Sequence, residues 1–135
     1  MTASSRAKLQ ARVAVAAGIV FLFFGVAKLA TLPMSEAQFV AWHWPAWLVL
    51  VVAPSEAIAG VLLLARRTRV AGAAIGAIDM AGALFTHART PGVGIQLLPL
   101  AVALLVGCAL VLRSGWRSAA VVPAHPARGT REPGR

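Results

Sequence analysis

Apolar and polar positions fall in blocks along this chain. Four apolar runs, residues 13–32, 45–65, 70–87 and 93–112, are separated by short polar turns. Each is close to the roughly 20 residues that carry a helix across a bilayer core of about 30 Å. None shows the alternation of barrel strands, and their Ala, Gly and Leu content favours helices. The connections are short, so consecutive runs should be antiparallel. The pattern predicts an all-α integral membrane protein, an antiparallel four-helix transmembrane bundle over residues 13–117. Residues 1–12 form a cytoplasmic lead. Residues 118–135, with Pro123, Pro126, Gly129, Pro133 and Gly134 among arginines, read as a disordered basic tail.

Composition narrows the class further. The chain of 135 residues is 59% hydrophobic and 13% charged, which leaves no soluble segment large enough for a catalytic module. The net charge of +9 would suit nucleic acid, but the placement of the basic residues argues against it. Of the 13, all but Lys28 and Arg89 fall before the first run, between the second and third, or after the fourth. The positive-inside rule then predicts a multi-pass protein of the cell inner (plasma) membrane with both termini cytoplasmic. Anionic lipid headgroups are the expected partner of that charge. The basic start resembles a secretion signal. Its apolar run is long, however, and residues 27–30 make a poor cleavage site, so an uncleaved span is expected.

Prolines and aromatics add local expectations. Pro54 lies inside the second run and frees the Leu50 carbonyl, which predicts a kink one turn before Glu56. Pro99 should act likewise in the fourth run. Trp42, Trp44 and Trp47 read as an interfacial aromatic belt, as does Trp116 with Arg113. A short extracytoplasmic helix capped by Ser35 would fit the residues before them. Cys108 has no partner for a disulfide and reads as a buried structural thiol.

The candidate chemistry lies in charges within the runs. Lys28, Glu56 and Asp79 sit where a charge must be paired, wet or snorkelling. At the rise of a helix, Glu56 and Asp79 lie about 15 and 14 Å from the cytoplasmic ends of their spans, with Lys28 and His87 about 24 and 26 Å from it. Two carboxyls thus share a layer near the midplane, with a lysine and a histidine above them. Lys28 can bend down to Glu56 or up to the headgroups. Gly72, Gly76, Asp79, Ala83 and His87 follow one helical stripe, and Glu56 shares a face with Gly60. Small residues on that stripe allow close approach to a neighbouring helix, which predicts a polar seam between the second and third spans.

Two carboxyls a few ångströms apart cannot both ionise cheaply, which suits proton handling beside a quinone or another small apolar ligand. Mutual satisfaction of Lys28, Glu56, Asp79 and His87 as a structural network fits equally, and so does a permeation path in an oligomer. His43, His87 and Glu36 show no recognised metal-ligand spacing, so no metal is assigned.

Three segments together resemble the DoxX family of small four-helix membrane proteins. They are FLFFGVAKL, from Phe21 through Gly25 to Lys28; PSEAIAGVLLLARRTR, carrying Glu56 and Gly60; and the small-residue third run ending at His87. The resemblance covers roughly residues 12–117. Ala59 stands where many members have glycine, and Asp79 is atypical. Relatives include a subunit of a thiosulfate:quinone oxidoreductase and a membrane partner of a sulfurtransferase. The resemblance implies a membrane subunit or anchor of a redox-associated complex that can be quinone-linked, beside a soluble oxidoreductase or sulfurtransferase, with Lys28, Glu56 and His87 as its quinone-proximal or partner-proximal structure. No flavin, haem or iron–sulfur motif is recognisable, so a partner would supply the electron carrier. An oligomeric proton or small-solute channel and a purely structural membrane protein remain the alternatives. Catalysis by the chain itself is least expected, because the loops are too short to build a soluble active site.

Overall fold

The computed structural model describes residues 3–92 and 94–119. It contains five helices there: α1 (Ala3–Ala30), α2 (Leu32–Ala41), α3 (Val49–Leu64), α4 (Arg69–Arg89) and α5 (Leu98–Ala119). Short 3₁₀ turns, Ala46–Leu48 and Ile95–Leu97, lead into α3 and α5. Four of the helices, α1 and α4 alone and α3 and α5 with their leading turns, are long and apolar enough to cross a membrane. α1 packs on α3, α3 on α4, α4 on α5, and α5 returns to α1, so the four close into a ring. The chain is therefore an all-α, multi-pass membrane protein, as the block pattern predicts.

The outward faces stay apolar. Ile19, Phe23, Val26, Ile78, Phe85 and Val106 are more than half exposed, which is what an acyl-chain environment accepts. Inside, Ala14, Ala17, Phe21, Leu63, Ala73, Leu104 and Cys108 fill one end of the bundle. Cys108 is completely buried, in the role its isolation suggested.

Glycines set the helix spacing. A Cβ on Gly60 would lie 2.6 Å from Leu22 N and 2.7 Å from Gly18 O of α1. A Cβ on Gly25 would lie 2.6 Å from Ala57 N and 2.7 Å from Ala53 O of α3. Backbone thus meets backbone between α1 and α3, as small residues allow. This corrects one expectation. The face shared by Glu56 and Gly60 looks at the first span, not the third. The stripe on α4 also divides: Gly72 meets Leu63 and Ala59 of α3, whereas Gly76 meets the Phe21 ring and the Cys108 sulfur.

Helix ends explain the turns. α3 stops at Ala65, whose backbone is extended. Thr68 Oγ1 then donates to Leu62 O at 2.9 Å, and Arg69 Nε to Leu63 O at 3.1 Å. The basic turn therefore caps carbonyls that the helix leaves unmet. α3 runs unbroken through Pro54. Pro99 does not interrupt a helix at all: it lies in the first turn of α5, where no intrahelical N–H is needed. For the same reason Pro33 sits in the first turn of α2, with Thr31 at the N-cap. Ser35 is a buried residue within that helix, not its cap. The basic lead predicted over residues 1–12 is helical from Ala3 onward, continuous with the first span. The predicted tail, apart from its first two residues, lies outside the described residues.

Candidate functional site

The half of the bundle under α2 is not filled by side chains. It holds a cavity of about 420 Å³ that is partly open to the outside of the bundle. Lys28, Glu56, Asp79 and His87, the four residues singled out from the sequence, all stand on its wall. Each comes from near the middle or the end of a span, and each reaches the cavity by a different local device.

Lys28 occupies the last turn of α1, and its Nζ donates to both carboxylate oxygens of Glu56 on α3 at 2.5 Å. The Glu56 side chain is 6% exposed and that of Lys28 19%. The amine thus bends toward the carboxylate. Glycines on either side make this reach possible, since Gly25 and Gly60 bring α1 and α3 into backbone contact one turn away. Charge-assisted hydrogen bonds of this kind are the strong ones, and burial makes each partner depend on the other.

Asp79 of α4 has a separate partner. Ser55 Oγ lies 3.0 and 2.9 Å from its two carboxylate oxygens. Ser55 and Glu56 are adjacent on α3, and successive helical residues diverge by about 100°. One therefore faces α4 while the other faces α1. The two carboxylates border the same cavity without forming the direct seam between the second and third spans that the depth count suggested.

His87 closes the far end. Its Nδ1 lies 2.7 Å from Ala83 O, one turn back in α4, and its Nε2 lies 3.0 Å from Gly94 O in the following loop. Both neighbours are acceptors, so a neutral ring satisfies one of them and an imidazolium both. Gly94 adopts a left-handed conformation, φ 66°, that glycine takes without strain and that sets its carbonyl in place. Thr90 Oγ1 donates to Thr86 O at 2.8 Å and secures the end of α4.

α2 roofs the cavity. Thr31, Ser35, Gln38 and Trp42, spaced along one face of the helix, line it together with Phe39. The helix ends in a turn in which Trp44 N–H reaches Phe39 O and His43 N–H reaches Val40 O, both at 2.9 Å. His43 takes φ 60° in this turn, an unusual non-glycine left-handed residue. That reversal points the chain back into the bundle and turns Trp44 inward. Trp44 Nε1 donates to Thr86 Oγ1 at 3.0 Å. Trp42 joins the cavity wall beside His87, their ring centroids 6.4 Å apart. The belt expected at this level is thus confined to Trp47, which is 61% exposed. Trp42, Ser55 and Gly94 are the parts of the site that the sequence did not announce. A tryptophan near a membrane boundary reads as an anchor whether it faces lipid or protein.

Fold and site together define a four-span membrane protein with a mainly apolar, partly open cavity, bordered by one buried ion pair and a second carboxylate. The DoxX family model matches residues 7–89, from α1 to the end of α4, and includes every one of the four polar site residues. The chain belongs to the DoxX family. No curated protein and no solved structure matches it.

Proposed function

We propose that this chain is a membrane subunit of a redox-associated complex that receives a quinone-type ligand in the cavity beneath α2. The observation that carries the reading is the Lys28–Glu56 pair on the wall of a mainly apolar chamber of about 420 Å³. Ligand pockets of about 300–1,000 Å³ with a few convergent polar groups are the common form of small-molecule site. A buried pair that served stability alone would gain little over packed apolar side chains. Beside a ligand it has a further use, because it places an amine and a carboxylate where a proton can be held. A quinone takes up electrons and protons together. Here Lys28 and Glu56 hold the protonic side of that exchange, Asp79 and Ser55 border it, and Phe21, Phe24 and Leu104 shield it from water. The electrons come from a soluble oxidoreductase bound to the bundle.

The charge distribution supports an orientation with both termini cytoplasmic in the inner membrane and the cavity in the outer half. The basic end then lies among anionic headgroups.

The test is purification from native membranes in mild detergent, followed by mass spectrometry of the bound lipids and proteins. The expected result is a quinone retained by the native protein and lost from Glu56→Gln that is still folded at the temperature of purification. A quinone-free preparation that moves protons or solute across liposomes on its own would replace this reading with permeation.

A further inference from the structure

The two tryptophans that end α2 differ in how their indole N–H groups are met. That of Trp44 has Thr86 Oγ1 as acceptor. That of Trp42 is buried and has no acceptor among the described residues. An indole nitrogen is a donor only, and buried donors in folded proteins are almost always paired. Trp42 lines the cavity, so a small shift of its ring brings the N–H to a ligand there. Its ring packs 5.7 Å from the Phe39 ring and 6.4 Å from the His87 ring, centroid to centroid. A Cβ on Gly94 would stand 3.4 Å from its six-membered edge. Gly94 O is engaged by His87 Nε2 and Thr86 Oγ1 by Trp44, so neither serves it.

We propose that Trp42 is the specificity-determining donor of the cavity, giving its N–H to a neutral carbonyl oxygen on an apolar ligand. The inference rests on the functional reading of the cavity and deepens it by naming what the site recognises. The charge on the wall sets the class. The one ammonium on the wall is already engaged by Glu56, so an anionic headgroup finds no free lysine or arginine among the lining residues, whereas a neutral acceptor needs none. A quinone ring carbonyl has this chemistry, and so does an ester carbonyl of a lipid.

The test uses the full chain in nanodiscs and three probes with the same short tail: a naphthoquinone, the parent naphthalene without carbonyls, and a methyl ester. Calorimetry gives each dissociation constant for the native protein and for Trp42→Phe, with Trp47→Phe as the exposed control. The expected result is naphthoquinone binding weakened about fivefold or more by Trp42→Phe, the worth of one hydrogen bond, with naphthalene binding unchanged. An equal loss for both rings would overturn the assignment, and so would no loss for either. The ester showing the same dependence, with the quinone showing none, supports the donor and makes its natural ligand a lipid ester. A second measurement needs no variant at the site. In the native protein labelled with ¹⁵N-tryptophan, the Trp42 indole proton should shift downfield with the carbonyl probes and not with naphthalene, while Trp44 stays fixed. Stationary Trp42 signals with a bound quinone would refute the donor while leaving the cavity reading intact. Failure of the native protein to bind any probe removes both.

Discussion

Replacing Lys28 by methionine keeps the length and apolar stem of the side chain but strands Glu56. The carboxylate, 6% exposed, then has no cation to meet both its oxygens. Removing one partner of a buried pair costs about 3–5 kcal/mol, because the remaining charge stays desolvated. The reverse change, Glu56→Gln, should cost less, about 1–3 kcal/mol. Lys28 is three times as exposed as its partner and sits in the last turn of α1, so its ammonium can swing out toward the boundary. The double variant Lys28→Met with Glu56→Gln buries no charge at this site and should lie well above the Lys28→Met single in stability. Reversible unfolding in mixed micelles, with thermal scans in nanodiscs, gives the three values. The structure predicts asymmetric singles and a coupling energy of about 2 kcal/mol or more between them. Equal, small and additive effects would refute the buried pair and the packing that places it.

Further outcomes follow from the other contacts. Gly60→Ala or Gly25→Ala pushes a methyl group into the facing backbone and should destabilise by about 1–3 kcal/mol or prevent folding, whereas Gly82→Ala, with nothing within 4 Å, should be neutral or stabilising by up to about 1 kcal/mol in the same unfolding assay. Ser55→Ala removes the hydroxyl that donates to Asp79 and should cost about 1–2 kcal/mol, with much of it restored when Asp79→Asn is added; additive losses would contradict the pairing. Cys108, wholly buried, should react with a maleimide only as the bundle unfolds, so rapid labelling of the native protein would contradict its place in the core.

How much of this was legible beforehand divides along physical lines. The four spans could be read because each needs a run of set length, and a run of apolar residues between basic turns has few other uses. Lys28, Glu56, Asp79 and His87 could be read because charge in hydrocarbon demands a reason, and all four reach the same cavity. The pairing among them could not. Depth along a helix follows from counting, but rotation about its axis is set by where neighbouring backbones touch. Here the contacts at Gly25 and Gly60 turn Glu56 toward α1 and leave Ser55 to meet Asp79. The same limit applies to Trp42. It continues the α2 face that carries Thr31, Ser35 and Gln38, and which way that face turns is again set by packing.

The account depends most on the rare charges of the spans facing one another inside the bundle. A magic-angle-spinning NMR measurement of the dipolar coupling between ¹⁵N at Lys28 Nζ and ¹³C at the Glu56 carboxyl, in a lipid bilayer, reads this directly. A strong coupling is predicted, from nitrogen and oxygen within about 4 Å. No detectable coupling, with both side chains ordered, would contradict it.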